Sequence, residues 1–243
     1  MFLIHIIVAL GKRPPRATPH RLKKLAGDRN LPMVKHISFL ICFIIFLGGY
    51  GYARADQPSD IATEPFSGPY TQGGISLQLV SGALFSLTGF PEGSPEFNYA
   101  QTNLRLGWML TDPGPRQDFL RGNWEGLIEL SNSIIFKGPG NYIGGVTGLL
   151  RYNFVQPDWH VIPYVQGGVG VVYNDAYKDE TQQAIGQAIE FTPQCSLGVR
   201  YLVGKNWSVD AEGMFHHISN ANMSRRNRSI NSLGGFLGVT YSF

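Results

Sequence analysis

From Gly73 to Phe243 the chain alternates apolar and polar residues with a period of two in segment after segment, and almost nowhere with the 3.6-residue period of a helix. Candidate strands cover 73–83, 99–110, 121–136, 142–155, 161–174, 188–203, 206–219 and 231–243. Each is long enough for the ~9–11 residues that a tilted strand needs to cross a bilayer. The segments between them are turn formers: "TDPGPRQD", "KGPGN", "VQPDW" and "VGKN". An all-β chain of eight long strands follows.

Which β architecture it is depends on what the two faces carry. In 231–243, Leu233, Leu237, Val239, Tyr241 and Phe243 share one phase, and Ser232, Gly234, Gly238, Thr240 and Ser242 the other. In 206–219, Trp207, Val209, Ala211 and Phe215 oppose Asp210, Glu212 and His216. The polar phases of the remaining strands add Arg105, Glu125, Glu129, Arg151 and Arg200. In a soluble sandwich the apolar phase would be the core and these charges would be solvated. In an outer-membrane barrel the apolar phase meets lipid, and the acids and arginines pair inside a packed lumen. Strand length, the even strand count and the aromatic C-terminal strand predict an eight-stranded antiparallel transmembrane β-barrel of the outer membrane.

The N-terminal region agrees. "MVKHISFLICFIIFLGGYGYARA" has a short basic stretch from Met33 to His36, an apolar stretch from Ile37 to about Leu47, and a small-residue site at Ala53-Arg54-Ala55. That is the anatomy of a secretory signal peptide, Met33–Ala55, cleaved before Asp56. Residues 1–55 are therefore a removable leader, with Met1 or Met33 as its start, and 56–243 a single barrel domain. The leader holds nine Lys and Arg against one acid; the remainder holds eleven against sixteen. The basic character thus belongs to the leader and is not the mark of a nucleic-acid-binding arm. Cys42 leaves with the signal and Cys195 stands alone, so the mature chain has no intramolecular disulfide. After residue 55 no apolar run is long enough for a membrane-spanning helix.

Strand 206–219 ends in "FHHISNA", Phe215 to Ala221. Residues two apart share a face, so His217 and Ser219 lie on the lipid-facing phase of Val209, Ala211 and Phe215, and Asn231 takes the corresponding phase at the start of the neighbouring strand. With both termini periplasmic, this cluster sits at the outer rim. Its bland reading is interfacial polarity at a strand end. Its chemical reading is a serine made nucleophilic by an imidazole whose other nitrogen is held by a partner. Asn220, beside the serine, has a donor for an oxyanion. No metal site is expected, because His216 and His217 point to opposite faces and no cysteine or carboxylate joins His217.

The stretch "FHHISNANMSRRNRSINSLGGFLGVTYSF" resembles the C-terminal motif of the outer-membrane lipid A 3-O-deacylases (PagL type, acyloxyacyl hydrolase family), which read His-x-Ser-Asn-Ala and end in an aromatic strand. The resemblance implies a lipid A deacylase in the outer membrane of a Gram-negative bacterium, acting on lipopolysaccharide at the outer leaflet without a cofactor. It implies Ser219 as nucleophile, His217 as general base and Asn220 as an oxyanion donor. The family's pattern has a glutamate where this chain has Asn231, and a glycine where it has Asn222. Asn231 is therefore the expected third member of a triad, orienting His217 without a full charge. Arg225, Arg226 and Arg228 are placed to meet lipid A phosphates. The rival reading is a non-enzymatic small barrel, whether adhesin, structural protein or inactive relative. A diffusion channel is disfavoured because side chains fill an eight-stranded lumen. The sequence leaves a homodimer open.

Overall fold

The computed structural model describes residues 68–88, 95–114 and 118–243. The leader, including the signal peptide expected at Met33–Ala55, lies outside the described residues. Nine strands are formed among those described: β1 (Ile75–Ser86), β2 (Asn98–Met109), β3 (Gly122–Lys137), β4 (Tyr142–Phe154), β5 (Val161–Asn174), β6 (Ile189–Phe191), β7 (Gln194–Val203), β8 (Trp207–Ile218) and β9 (Ile230–Ser242). Every pairing is antiparallel, in the order β4-β3-β2-β1-β9-β8-β7-β5, and β4 pairs with β5 to close the ring. The expected single strand at 188–203 is divided into β6 and β7 by Thr192 and Pro193. The register nevertheless runs straight through: Phe191 pairs with Val171 and Gln194 with Gly168. The two pieces make one wall element, and the protein is an eight-stranded antiparallel transmembrane β-barrel of the outer membrane.

The alternation has the expected consequence on the outside. Leu79, Leu106, Ile128, Val146, Val169, Leu197, Val209 and Leu237 are exposed, forming an apolar belt for lipid. Aromatic residues border it. Trp207, Tyr241 and Phe243 stack edge to face at the end that carries the C-terminus, and Phe85 and Phe136 meet the same way at the other end.

Inside, the middle of the lumen is a buried ionic layer. Arg105 donates through Nε to Glu129 at 2.7 Å and through Nη1 and Nη2 to Glu212 at 2.6 and 3.0 Å. Arg151 pairs with Glu125 at 3.2 Å and Arg200 with Asp210 at 3.0 Å. Gln78 Oε1 accepts from both Arg105 and Arg151, joining two of these pairs. All seven charged residues are buried. Three arginines thus face four acids, and each guanidinium has at least one carboxylate partner within the lumen.

The inward phase is less polar than expected toward the loop end. There Leu84, Phe97, Tyr99, Ile143, Met214, Ile218 and Phe236 form an apolar plug, closed from above by Ala176, Ala184 and Ile185 of the β5–β6 connection. That connection, 175–188, is pinned at its start. Asp175 Oδ1 accepts the N–H groups of Asn141 and Tyr142 at 2.8 and 2.9 Å. Burial opposes ionisation of this carboxyl, but these hydrogen bonds outweigh it and hold it below the usual carboxylate range.

Candidate active site

β8 delivers the cluster to the loop end of the barrel. Its inward residues Ser208, Asp210, Glu212, Met214 and His216 are buried, which fixes the opposite phase, ending in Phe215, His217 and Ser219, on the outer wall. His217 and Asn231 are direct cross-strand partners between β8 and β9. The Ser219 hydroxyl lies 2.9 Å from His217 Nε2, and His217 Nδ1 lies 2.6 Å from Asn231 Oδ1. An amide oxygen only accepts, so Nδ1 carries the proton and donates to it. Nε2 is then the bare nitrogen, and the serine hydroxyl donates to it. Hydroxyl, imidazole and amide thus form one directional chain, with Asn231 buried and His217 and Ser219 partly exposed.

The two histidines face opposite sides of the wall. His216 is buried in the lumen, where Nδ1 meets the Tyr99 hydroxyl at 2.5 Å and Nε2 makes a short hydrogen bond with the Thr192 hydroxyl.

After Ser219 the chain turns back sharply. Met223 N–H donates to Asn220 O at 3.0 Å across Ala221 and Asn222, which have φ of 51° and 67°. Asparagine reaches this left-handed region more readily than most residues, so Asn222 fits where the family pattern has glycine. The turn also redirects Asn220. Its side chain is wholly buried, its Nδ2 donates to Arg226 O at 2.9 Å and Glu190 Oε1 at 3.4 Å, and its own N–H donates to Asn227 Oδ1 at 2.9 Å. The donors of Asn220 are therefore committed to the loop, and the expectation that its side chain serves an oxyanion does not fit this geometry. Among the described residues, the N–H groups of Ala221 and Asn222 donate to no acceptor and are the free donors nearest Ser219 in sequence.

The three arginines also separate. Arg226 donates to the carbonyls of Asp179 at 2.7 Å and Tyr177 at 2.8 Å and reaches that of Gln182 at 3.5 Å, so its guanidinium caps the 177–182 segment instead of standing ready for phosphate. Arg225 and Arg228 are exposed, and Arg228 lines an open groove of about 520 Å³ with Asp179, Thr181, Gln182 and Gln183. Sequence reasoning missed Phe191 and Asn227 as neighbours of the site. The Phe191–Ser219 bridge continues the β7–β8 register beyond Gln194 and His216, whereas the Asn227 contacts depend on loop closure that spacing along the chain does not encode.

A closed eight-stranded barrel with an apolar outer belt and an ionic lumen defines an outer-membrane β-barrel protein. The family model for lipid A 3-O-deacylase (PagL) matches residues 81–240, and the chain belongs to that family. No curated protein sequence matches the chain in a direct search. Among solved structures, the outer membrane enzyme PagL is 18% identical, with 67% of this chain and 97% of that one covered and a TM-score of 0.46. Neisserial surface protein A is 13% identical over 70% of this chain and 97% of its own, with a TM-score of 0.49. The N-terminal β-barrel domain of Pseudomonas aeruginosa OprF is 14% identical over 71% of this chain and 100% of its own, with a TM-score of 0.44.

Proposed function

We propose that the protein is a serine esterase that removes an ester-linked acyl chain from lipid A at the outer leaflet of a Gram-negative outer membrane. The observation that carries this reading is the chain Ser219 Oγ to His217 Nε2 at 2.9 Å and His217 Nδ1 to Asn231 Oδ1 at 2.6 Å, on an outer-wall face where lipid is the neighbouring phase. His217 takes the hydroxyl proton as Ser219 Oγ attacks the ester carbonyl. The tetrahedral intermediate collapses as His217 returns that proton to the departing sugar hydroxyl, leaving an acyl-serine. Water, deprotonated by the same imidazole, then releases the fatty acid and restores the serine. The oxyanion falls to the unengaged N–H groups of Ala221 and Asn222.

The long connections 175–188 and 219–229 lie at the same end of the barrel as Ser219, which suits an extracellular end with periplasmic termini. Lipid A would then present its ester at the level of the site without leaving the leaflet. Arg225 and Arg228, both exposed in the 219–229 connection, suit its phosphates.

The test is mass spectrometry of lipid A from lipopolysaccharide-bearing cells that express the wild-type protein or Ser219→Ala. Loss of one acyl mass only with the wild type is expected. Intact lipid A in both, with the wild-type barrel folded in the outer membrane, would favour the non-enzymatic barrel.

A further inference from the structure

The nucleophile's own peptide is not held by β9 but by β6. Phe191 N–H donates to Ser219 O at 2.7 Å, and Ser219 N–H donates to Phe191 O at 3.0 Å. The residues on either side of Phe191 point into the lumen, and both grip polar groups there. Glu190 is 1% exposed, and its Oε1 accepts the N–H of Gly186 at 3.1 Å, the N–H of Gln187 at 3.2 Å and Nδ2 of Asn220 at 3.4 Å. Thr192 is fully buried, and its hydroxyl is hydrogen-bonded to Nε2 of His216, whose other nitrogen is engaged by Tyr99. Two side-chain links thus lace segment 190–192 to segment 216–220 from inside, one to the residue after Ser219 and one to the residue before His217.

The geometry points to Glu190 and Thr192 as positioning residues for Ser219, acting through the wall from the lumen side. This rests on the serine–histidine reading above. The physical reason is the solvent on the other face. Lipid tails offer no donor or acceptor, so beyond its bond to His217 a serine on a lipid-facing wall is fixed by main-chain pairing and by polar groups behind the sheet. Pro193 sharpens the need. It accepts from His217 N–H at 3.0 Å but has no N–H to return, so the ladder beside the catalytic histidine is one hydrogen bond short of a full antiparallel pairing. The side-chain links hold the register across that weak point. Neither residue touches the outer face, so neither contributes to substrate binding.

The experiment uses full-length refolded protein in detergent micelles with purified lipid A. It compares wild type, Ser219→Ala, Glu190→Ala, Glu190→Gln and Thr192→Val, with heat-modifiable migration as the measure of folding. Glu190→Ala and Thr192→Val should each lower kcat by ~10–100-fold, the cost of a sub-ångström to 1 Å misplacement of a reacting group, with KM within about twofold of wild type. Glu190→Gln should recover most of the lost kcat, because its carbonyl oxygen accepts the same three N–H groups. Thr192→Val is nearly isosteric and decides the matter if Glu190→Ala does not fold. Wild-type kcat in folded Thr192→Val and Glu190→Ala, beside an inactive Ser219→Ala, overturns the positioning role and leaves the serine mechanism standing. So does a rise in KM with kcat unchanged. Equal rates for wild type and Ser219→Ala overturn both.

Discussion

His217 on β8 and Asn231 on β9 are direct cross-strand partners, and the imidazole Nδ1 donates to the amide Oδ1 over 2.6 Å. This contact makes Nε2 the bare nitrogen that faces Ser219. An amide fixes the tautomer but brings no charge to balance an imidazolium. Asn231→Leu should therefore lower kcat on the order of 10²-fold without disturbing the barrel. Asn231→Asp should raise kcat at alkaline pH. A carboxylate beside the ring favours the protonated imidazole and raises its pKa, and the base works only when neutral. The low-pH limb of kcat/KM should consequently move to higher pH, by roughly 1–3 pH units. Rates on lipid A micelles across the pH range would check this, and an Asn231→Leu variant at wild-type speed would show that the histidine is held by another group.

The ionic lumen has a similar all-or-none character. Glu129 Oε2 accepts from Arg105 Nε at 2.7 Å, and its Oε1 accepts from Gln194 Nε2 at 2.8 Å. Both ionic partners are fully buried. Removing Glu129 leaves the buried Arg105 Nε and Gln194 Nε2 donors without their acceptor, while Glu212 still holds the other side of the guanidinium. An unsatisfied buried donor costs about 1–3 kcal/mol. Glu129→Ala should lower the urea midpoint of the refolded barrel in detergent by a matching amount. A midpoint equal to wild type would mean that water reaches this layer.

The sequence made some of this legible and hid the rest, for physical reasons that differ by residue. The eight wall elements could be read because alternation over ten or more residues leaves little choice of phase, and the same phase brought Arg105, Glu129 and Glu212 together. The apolar plug was not legible. Phe97, Tyr99, Met214 and Phe236 occupy the inward phase, and nothing local distinguishes an aromatic under a loop from one facing lipid. Ser219, His217 and Asn231 were brought together by strand periodicity and pairing. Asn220 and Arg226 were assigned to ligands because spacing cannot reveal donors already used by a folded loop. The left-handed pair Ala221 and Asn222 sends Asn220 inward to Glu190, and Arg226 spends its guanidinium on the carbonyls of 177–182.

The arginines give a prediction that separates loop structure from headgroup binding. Arg225→Ala and Arg228→Ala should each raise KM for phosphorylated lipid A by up to about fivefold, the scale of one exposed charge pair of 0.2–1 kcal/mol, and leave kcat unchanged. A dephosphorylated substrate should erase the difference. Arg226→Ala should instead open the 177–182 segment, seen as faster proteolytic cleavage of that loop in the folded barrel. A phosphate-dependent KM effect confined to Arg226→Ala would reverse this assignment.

The tight turn after the serine supplies the last prediction. Ala221 has φ of 51°, a conformation that costs a residue with a β-carbon about 1–2 kcal/mol and that alanine has no side-chain hydrogen bond to offset. Asn222, at φ 67°, belongs to a side-chain pair: its Oδ1 accepts from Asn227 Nδ2 at 2.9 Å, while Asn227 Oδ1 accepts the Asn220 N–H. The turn is thus strained at one position and anchored at the next. Ala221→Gly removes the steric cost and should retain wild-type kcat. Ala221→Val adds branching at the same backbone angle, so it should lose at least ~1 kcal/mol of loop stability and, if the Ala221 and Asn222 N–H groups serve the oxyanion as proposed, lower kcat with KM little changed. Hydrogen exchange at 220–224 together with kcat and KM would check both variants. Full activity in Ala221→Val with exchange unchanged would show that the turn tolerates a branched side chain and that the oxyanion is held elsewhere.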